Sequence, residues 1–588
     1  MKKTLIILLL SILTTPCRAG IAAWAHDYLK FMDKTLSAPV NPDTLLRLRV
    51  TRGEYEPVSF AVCSSEAVSL TVSVVSVEGS FALPLEWLEI HEVRSLEPTT
   101  PYNRLYEIEG AADLMANINY YFWITVHPPE NAPARTFTAE VVLQTPTETR
   151  ILPLQCEVLP FTLAVSPITG GVFMAGTDIP ASWYRDMNEH GLNAIQFFWS
   201  GTGIQVIREG DKLVLDLSGL DHFMANFLAG GMNGPVTISL GNDYNMHYER
   251  AIAAAFDIPV IRYPEIGGKA AWGPEISPQL DSLFVEGLRQ ILDHWNSMNY
   301  PELVVLIYDE PTERLIERHK SRFDLLKTVM PDTRVYGVVM NRRSWAEDLS
   351  NQCDIIVSDG DYLGCRDVAA AHGLDCWVYS FPLNAVSKSR YRMGLMAWRS
   401  DAQATWFWMY NYWKYDPDGC AVYPHTDDPE KLIRTTYWEG IREGIDDIRY
   451  MATAQGLIEE AGAEAQWAAD TIEAIRKSIN PETLITEERI KQIRDELIEI
   501  IIALRTEIRK PCDINNDGRA DIRDVIALLL LARSSPGDPR LDRDGDSTYS
   551  INDVILLLTD IFTGNCRLSV RLQGVVDTPK MDGLIHTE

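Results

Sequence analysis

The chain has 588 residues, 46% hydrophobic and 23% charged, with 53 basic against 82 acidic side chains and a formal net charge of −29. That composition is globular, which excludes collagen, coiled coil and global disorder, and its acidity excludes phosphate-backbone binding, which needs clustered Lys and Arg. At roughly 150 residues per domain the length calls for about four units, or fewer if one is a barrel.

Residues 1–19 read as an export signal. Lys2 and Lys3 precede a short apolar run, Leu5 to Leu13, and Cys17 and Ala19 are the small residues before a cut after Ala19. The run is about half the ~20 residues a membrane helix needs, so no membrane span is expected. Export places the cysteines in an oxidising compartment. Loss of Cys17 leaves eight of the nine, which makes disulfides the expected state. Cys512 with Cys566 is the favoured pair, and the absence of CxxC spacing argues against a zinc knuckle.

Residues 20–162 carry short alternating runs such as Leu70-Thr-Val-Ser-Val-Val and Tyr121-Phe-Trp-Ile-Thr-Val between Pro and Gly turns, the pattern of a β-sandwich. Over residues 163–430 apolar strands alternate with helical stretches. Gly171–Ala175, Ala194–Trp199, Pro235–Leu240, Leu303–Tyr308, Val335–Met340, Asp354–Val357, Cys376–Tyr379 and Ala404–Trp408 give the eight strands of a (β/α)₈ barrel. Residues 431–510 read as a helical extension, broken at Asn480-Pro481 and restarting at Thr486-Glu-Glu. Its acidic positions Asp446, Asp447 and Glu459 read as a solvated face. Residues 511–566 form a last small α-helical module, and residues 567–588 have no assignment.

That last module contains two metal-ligand spacings. Residues 513–524 place Asp513, Asn515, Asp517, Asp521 and Asp524 at loop positions 1, 3, 5, 9 and 12, with Gly518 at position 6. Residues 542–553 repeat the pattern with Asp542, Asp544, Asp546 and Asp553, although Ser547 replaces the glycine. Calcium takes six to eight oxygens from such a tight loop. Position 12 is Asp in both loops, and a single apolar helix follows each. This duplicated arrangement resembles a type I dockerin over residues 512–566. The resemblance implies Ca²⁺-dependent folding and docking onto a cohesin-bearing partner.

In a barrel the working residues lie at the C-terminal ends of the strands. The fourth apolar run ends in Asp309-Glu310-Pro311. Two readings fit that spacing. The carboxylates form an acid/base pair aimed into a cleft, or they open the following helix and complement its dipole. Asp359 and Asp361, after the sixth run, are the rival acid/base candidates. The aromatic residues Trp199, Tyr379, Trp406, Trp408 and Tyr410 are candidate sugar contacts, because indole and phenol faces pack against sugar C–H groups. Asp243, Tyr244 and Asn341 are candidates by loop position. The eleven histidines show no HxxxH or HxH spacing, which removes zinc hydrolase and His-based triad readings.

Five stretches in order resemble glycoside hydrolase family 123. They are Arg52-Gly-Glu-Tyr-Glu-Pro-Val-Ser-Phe, Val304-Val-Leu-Ile-Tyr-Asp-Glu-Pro, Cys376-Trp-Val-Tyr, Trp406-Phe-Trp-Met-Tyr-Asn-Tyr-Trp and Trp438-Glu-Gly-Ile-Arg-Glu-Gly-Ile-Asp-Asp. The resemblance implies cleavage of β-linked N-acetylgalactosamine. Glu310 would be the general acid/base and Asp309 would orient the 2-acetamido group that attacks the anomeric carbon, so no enzyme nucleophile is needed. Three other readings stand beside it. One is a glycosidase of another sugar with Asp309 or Asp359 as nucleophile, another a non-catalytic carbohydrate-binding scaffold, and the third a calcium-dependent adaptor.

Overall fold

The structure is a computed structural model. It describes residues 20–563 except 37, 78, 80, 96–102, 109, 177, 243, 264–270, 313–314, 340–342, 381–384, 414–418, 509–511, 516–520, 536–537, 542 and 544–547. The chain divides into two compact units, Met1–Gly456 with Ala469–Ile498, and Leu457–Ala468 with Glu499–Glu588.

The larger unit begins with two five-stranded sheets. One orders Ile21–His26, Glu56–Ser64, Asn119–Val126, Leu88–Arg94 and Arg104–Glu107; the other orders Leu46–Arg52, Thr149–Thr162, Thr136–Gln144, Val68–Ser76 and Ala111–Leu114. Alternation decides the faces of the second sheet, while Glu56–Ser64 and Asn119–Val126 in the first are buried along almost their whole length. Leu46, Leu48 and Val50 turn inward while Arg47 between them is exposed. Residues from both sheets, among them Phe60, Phe122, Val141 and Leu154, meet in one apolar core.

Eight parallel strands then close a barrel: Thr169–Met174, Ala194–Phe198, Val236–Ser239, Leu303–Leu306, Arg334–Val338, Ile355–Ser358, Asp375–Ser380 and Ala404–Phe407. Each coincides with one of the eight apolar runs. All four residues of the fourth strand are buried, as expected of a strand covered on both faces. The interior is a packed core of Phe173, Val304, Tyr336, Trp377 and Trp406 rather than a channel.

The helix Thr436–Ala461 is buried on almost every side as far as Ala454. Its glycines allow the close approach. A Cβ on Gly444 would stand 2.5 Å from the Arg390 carbonyl oxygen, and one on Gly440 would stand 2.7 Å from that of Val386. Asp446 and Asp447 on this helix are buried, which corrects the expectation of a solvated face; Glu459 is exposed. The reason is ionic. Arg390 donates to both Asp447 carboxylate oxygens at 2.8 and 2.9 Å. Arg494 donates to Asp447 at 2.6 Å, Glu54 at 3.1 Å and Glu56 at 3.2 Å. Burial raises Asp447, yet the two guanidiniums outweigh it and hold the carboxyl below its ordinary range. The Arg52 and Trp438 stretches therefore meet in an ion network that joins the first sheet to the barrel.

Disulfides were expected from the export reading; Cys63 and Cys512 are disulfide-bonded, whereas Cys156, Cys353, Cys365, Cys376 and Cys420 are free and buried. Burial pushes Cys156, Cys353 and Cys376 up to about 12 and Cys365 up to about 11, so these thiols act as small apolar side chains. Cys566, expected opposite Cys512, lies outside the described residues, as do residues 1–19. No described helix is long and apolar enough to cross a membrane.

In the smaller unit, helices Ile522–Ser534 and Ile551–Thr563 pack through Val525, Leu528, Val554 and Leu557 onto Cys512, Ile514 and Leu541.

Candidate active site

The fourth strand delivers Asp309 and Glu310 to the C-terminal mouth of the barrel. Asp309 N–H donates to the Gly241 carbonyl at 2.9 Å, and Asp309 bridges Asn242, which ties this segment to the loop after the third strand. The next helix, Ile316–Val329, starts several residues beyond the pair and is capped at Leu315. The pair is therefore not the N-terminus of that helix, and the helix-opening reading fails. Glu310 adopts φ +48°, a left-handed conformation that costs a non-glycine residue about 1 kcal/mol and that the following proline does not favour. Strain of this kind gathers where a side chain must point in one direction.

Both carboxyls are half-buried. Burial, and then the neighbouring Glu310 charge, push Asp309 up to about 8. The Tyr379 hydroxyl, at the end of the seventh strand, donates to Glu310 Oε1 at 2.8 Å. Burial first, then the charges of Glu310, Asp359 and Asp309, hold that phenol well above its ordinary value, so it stays a donor. Asp359 faces the same group. Burial and Glu310 raise its carboxyl, and its Oδ1 is buried without a hydrogen-bond partner. Asp361 turns away: it is exposed, and its N–H donates to Glu482 Oε2 at 3.1 Å. Beneath the pair Tyr336 donates to Gln196 inside the barrel, its phenol raised by burial and then by Asp309.

Behind the pair, Tyr308 donates to Glu249 Oε2 at 2.6 Å. Arg318 donates to both that carboxylate and the Tyr308 hydroxyl at 3.1 Å. This buried cluster fixes the residue immediately before Asp309.

The aromatic candidates separate. Tyr379 and half-buried Trp408 are at the mouth, with Phe173 between them at ring separations of 5.9 and 5.5 Å. Phe198 and Tyr412 approach Trp408 at 6.1 and 6.3 Å. Trp406 is only 2% exposed and packs on Phe173 and Trp377 inside the barrel. Trp199 is buried against Tyr248 at 4.4 Å, and Tyr410 is buried beside Trp183 and Trp438. These three offer no face to a ligand at the mouth. Tyr244 is exposed on the loop after the third strand, while Asp243 and Asn341 lie outside the described residues. Phe173, Phe198 and Tyr412 were not among the expected contacts; for Phe173 and Phe198 the signal was an aromatic residue at the end of the first and second strands.

In the small module the two position-12 carboxylates are buried and turned into their own loops. Asp524 accepts from Asn515 N–H at 3.1 Å and Asp521 N–H at 2.8 Å. Asp553 accepts from Arg543 N–H at 2.7 Å and Ser550 N–H at 2.6 Å. For Asp524 the bond from Asp521 N–H completes a capping box at the start of the helix Ile522–Ser534. Asp521 caps the helix Ile522–Ser534 and is paired with Arg523 at 2.7 Å. Asp513 precedes these on the same loop. Asp517, Asp542, Asp544 and Asp546 lie outside the described residues, and among the described residues no cluster of three or more His, Cys, Asp or Glu is placed to hold a metal.

No protein-family model matches the chain, and no curated protein matches it. Among solved structures it is similar to a family 123 glycoside hydrolase from Clostridium perfringens, whose structural analysis concerns glycolipid glycan hydrolysis. The TM-score is 0.62 at 13% identity, over 84% of this chain and 98% of that one. It also matches an endo-β-1,4-mannanase from Thermotoga petrophila with a TM-score of 0.32 at 13% identity, over 48% of this chain and 76% of that one. The match to a Pseudomonas stutzeri endoglucanase has a TM-score of 0.33 at 12% identity, over 48% and 95%. At these identities the likeness to the Clostridium perfringens enzyme is one of fold, and it runs along nearly the whole of that protein.

Proposed function

We propose that the protein is an exported glycoside hydrolase that cleaves a β-linked 2-acetamido sugar, N-acetylgalactosamine first, with retention and with the substrate's own acetamido group as nucleophile. The observation that carries this reading is the pairing of Asp309 with a left-handed Glu310 held by Tyr379 at the barrel mouth. The fold likeness to the family 123 enzyme supports it.

The chemistry needs two carboxyls in opposite states. Asp309, raised to about 8 by burial and then by the Glu310 charge, holds a proton near neutral pH. An acetamido N–H donating to Asp309 favours its ionised form, and the proton it gives up passes to Glu310. Tyr379 occupies Oε1, so Oε2 carries that proton to the leaving oxygen. The acetamido oxygen then bonds to the anomeric carbon as the glycosidic C–O bond breaks, forming an oxazolinium ion whose N–H is held by Asp309. Water attacks the anomeric carbon, its proton passes to Glu310, and the acetamido group is released. Trp408 and Phe198 offer the apolar wall for the ring.

Replacement Glu310→Gln tests this. It should lower kcat by roughly 10²–10⁴-fold while leaving the fold intact; near-normal turnover would sink the acid assignment. A second reading has one observation in its favour. Asp359, whose Oδ1 is buried without a hydrogen-bond partner and whose carboxyl is raised by burial and then by the Glu310 charge, would in that reading be the enzyme nucleophile on another sugar.

The small module is proposed as a dockerin-like calcium module, with Asp513, Asn515, Asp517, Asp521 and Asp524 holding one ion and Asp542, Asp544, Asp546 and Asp553 the other. Exposed Ile522, Ile526 and Leu530 on one helix, and Ile551 and Ile555 on the other, suit an apolar partner surface such as a cohesin.

A further inference from the structure

A short hairpin, Val260–Arg262 with Trp272–Pro274, rises beside the loop that follows the third barrel strand. Its base is fixed in several ways. Trp272 N–H donates to the Tyr244 carbonyl at 3.2 Å, and Trp272 bridges Asn245. A Cβ on Gly273 would stand 2.1 Å from the Met246 sulfur, so this strand lies directly on Met246. The Tyr263 hydroxyl, which accepts from Arg318, donates to the Pro274 carbonyl at 3.4 Å. The tryptophan side chain nevertheless stays 45% exposed, beside Tyr244 at 47%.

These two aromatics are coupled to the acid pair through backbone alone. Asn242 bridges Asp309 on one side and pairs with Asn245 on the other, and Asn245 bridges Trp272. Neighbouring backbones of this kind are about 4.8 Å apart, so three such steps keep the Trp272 backbone within roughly 15 Å of Asp309. The barrel axis below the pair is filled by Tyr336, Trp377 and Trp406, so a glycan longer than the sugar being cleaved must leave across the rim. An exposed, uncharged, rigidly mounted indole at that distance suits a sugar's C–H face better than a charged or flexible ligand.

We propose that Trp272, with Tyr244, forms a second sugar subsite that binds the unit adjoining the cleaved residue, so that the site selects an extended glycan over a single 2-acetamido sugar. This rests on the reading of Asp309 and Glu310 as a glycosidase pair. The test is calorimetric binding to the full chain carrying Glu310→Gln, with free N-acetylgalactosamine and with a tetrasaccharide containing β-linked N-acetylgalactosamine as the two probes. The tetrasaccharide should bind more tightly. Trp272→Ala should remove roughly tenfold of its affinity and leave the monosaccharide unchanged, and Trp272→Phe should recover part of the loss. Equal losses for both sugars, or no loss for either, would overturn the subsite. Binding of neither sugar to the Glu310→Gln protein would overturn the glycosidase reading itself, and the subsite with it.

Discussion

At the scale of the residue, the position of Asp309 and Glu310 at the end of the fourth strand was legible because the fully apolar run stops at two carboxylates and a proline. What the run did not disclose is which side chains meet the pair. Side chains alternate along a strand, so a shift of one position exchanges mouth for core. Phe198 approaches Trp408 while its neighbour Trp199 is buried against Tyr248. Trp406 and Trp408 lie on one side of their strand, yet one is inside the barrel and the other at its opening, because depth along the axis is not a property of the local pattern. The proton balance at Asp309 has a measurable consequence. Its carboxyl is raised from 3.8 to about 8, so the unfolded chain gives up this proton at lower pH than the folded one does. The fold is therefore progressively destabilised as pH rises between those values, and the effect is absent below them. Asp309→Asn should raise the melting temperature at pH 8 by at least about 2 °C, on the order of 1 kcal/mol, with the gain shrinking toward pH 4. A gain that is the same at both pH values would show that Asp309 is not held protonated.

At the scale of the element, the eight barrel strands were readable as eight buried runs, since a parallel strand covered on both faces is apolar throughout. The helix Thr436–Ala461 was not. Asp446 and Asp447 look like the polar face of a surface helix, and nothing near them in the chain announces Arg390 or Arg494, which arrive from distant elements. The same network explains why Glu54 and Glu56 stand in a strand-forming region: they complete the shell around Arg494. Removing one partner from a buried ion network leaves the others uncompensated, at about 3–5 kcal/mol. Arg494→Met should therefore lower the melting temperature of the larger unit markedly, read by circular dichroism. A neutral effect would mean that the carboxylates around Arg494 are protonated and need no partner.

At the scale of the whole molecule, the chain divides into two compact units. The duplicated acidic loops were readable from spacing alone, and the two helices after them pack through matching positions, Val525 with Val554 and Leu528 with Leu557. The proposed calcium sites and the proposed acid pair share no residue. Chelation should thus reduce the helical signal of the small module while hydrolysis continues at its full rate; loss of both together would show that the units are not independent. The central claim is that the substrate supplies its own nucleophile to the Asp309–Glu310 pair. It is tested most directly with two chromogenic β-galactosides that differ only in the 2-acetamido group. Release of the chromophore from the acetamido sugar alone is the expected result. Equal release from both would contradict neighbouring-group participation, and release from neither would contradict the assignment of the sugar.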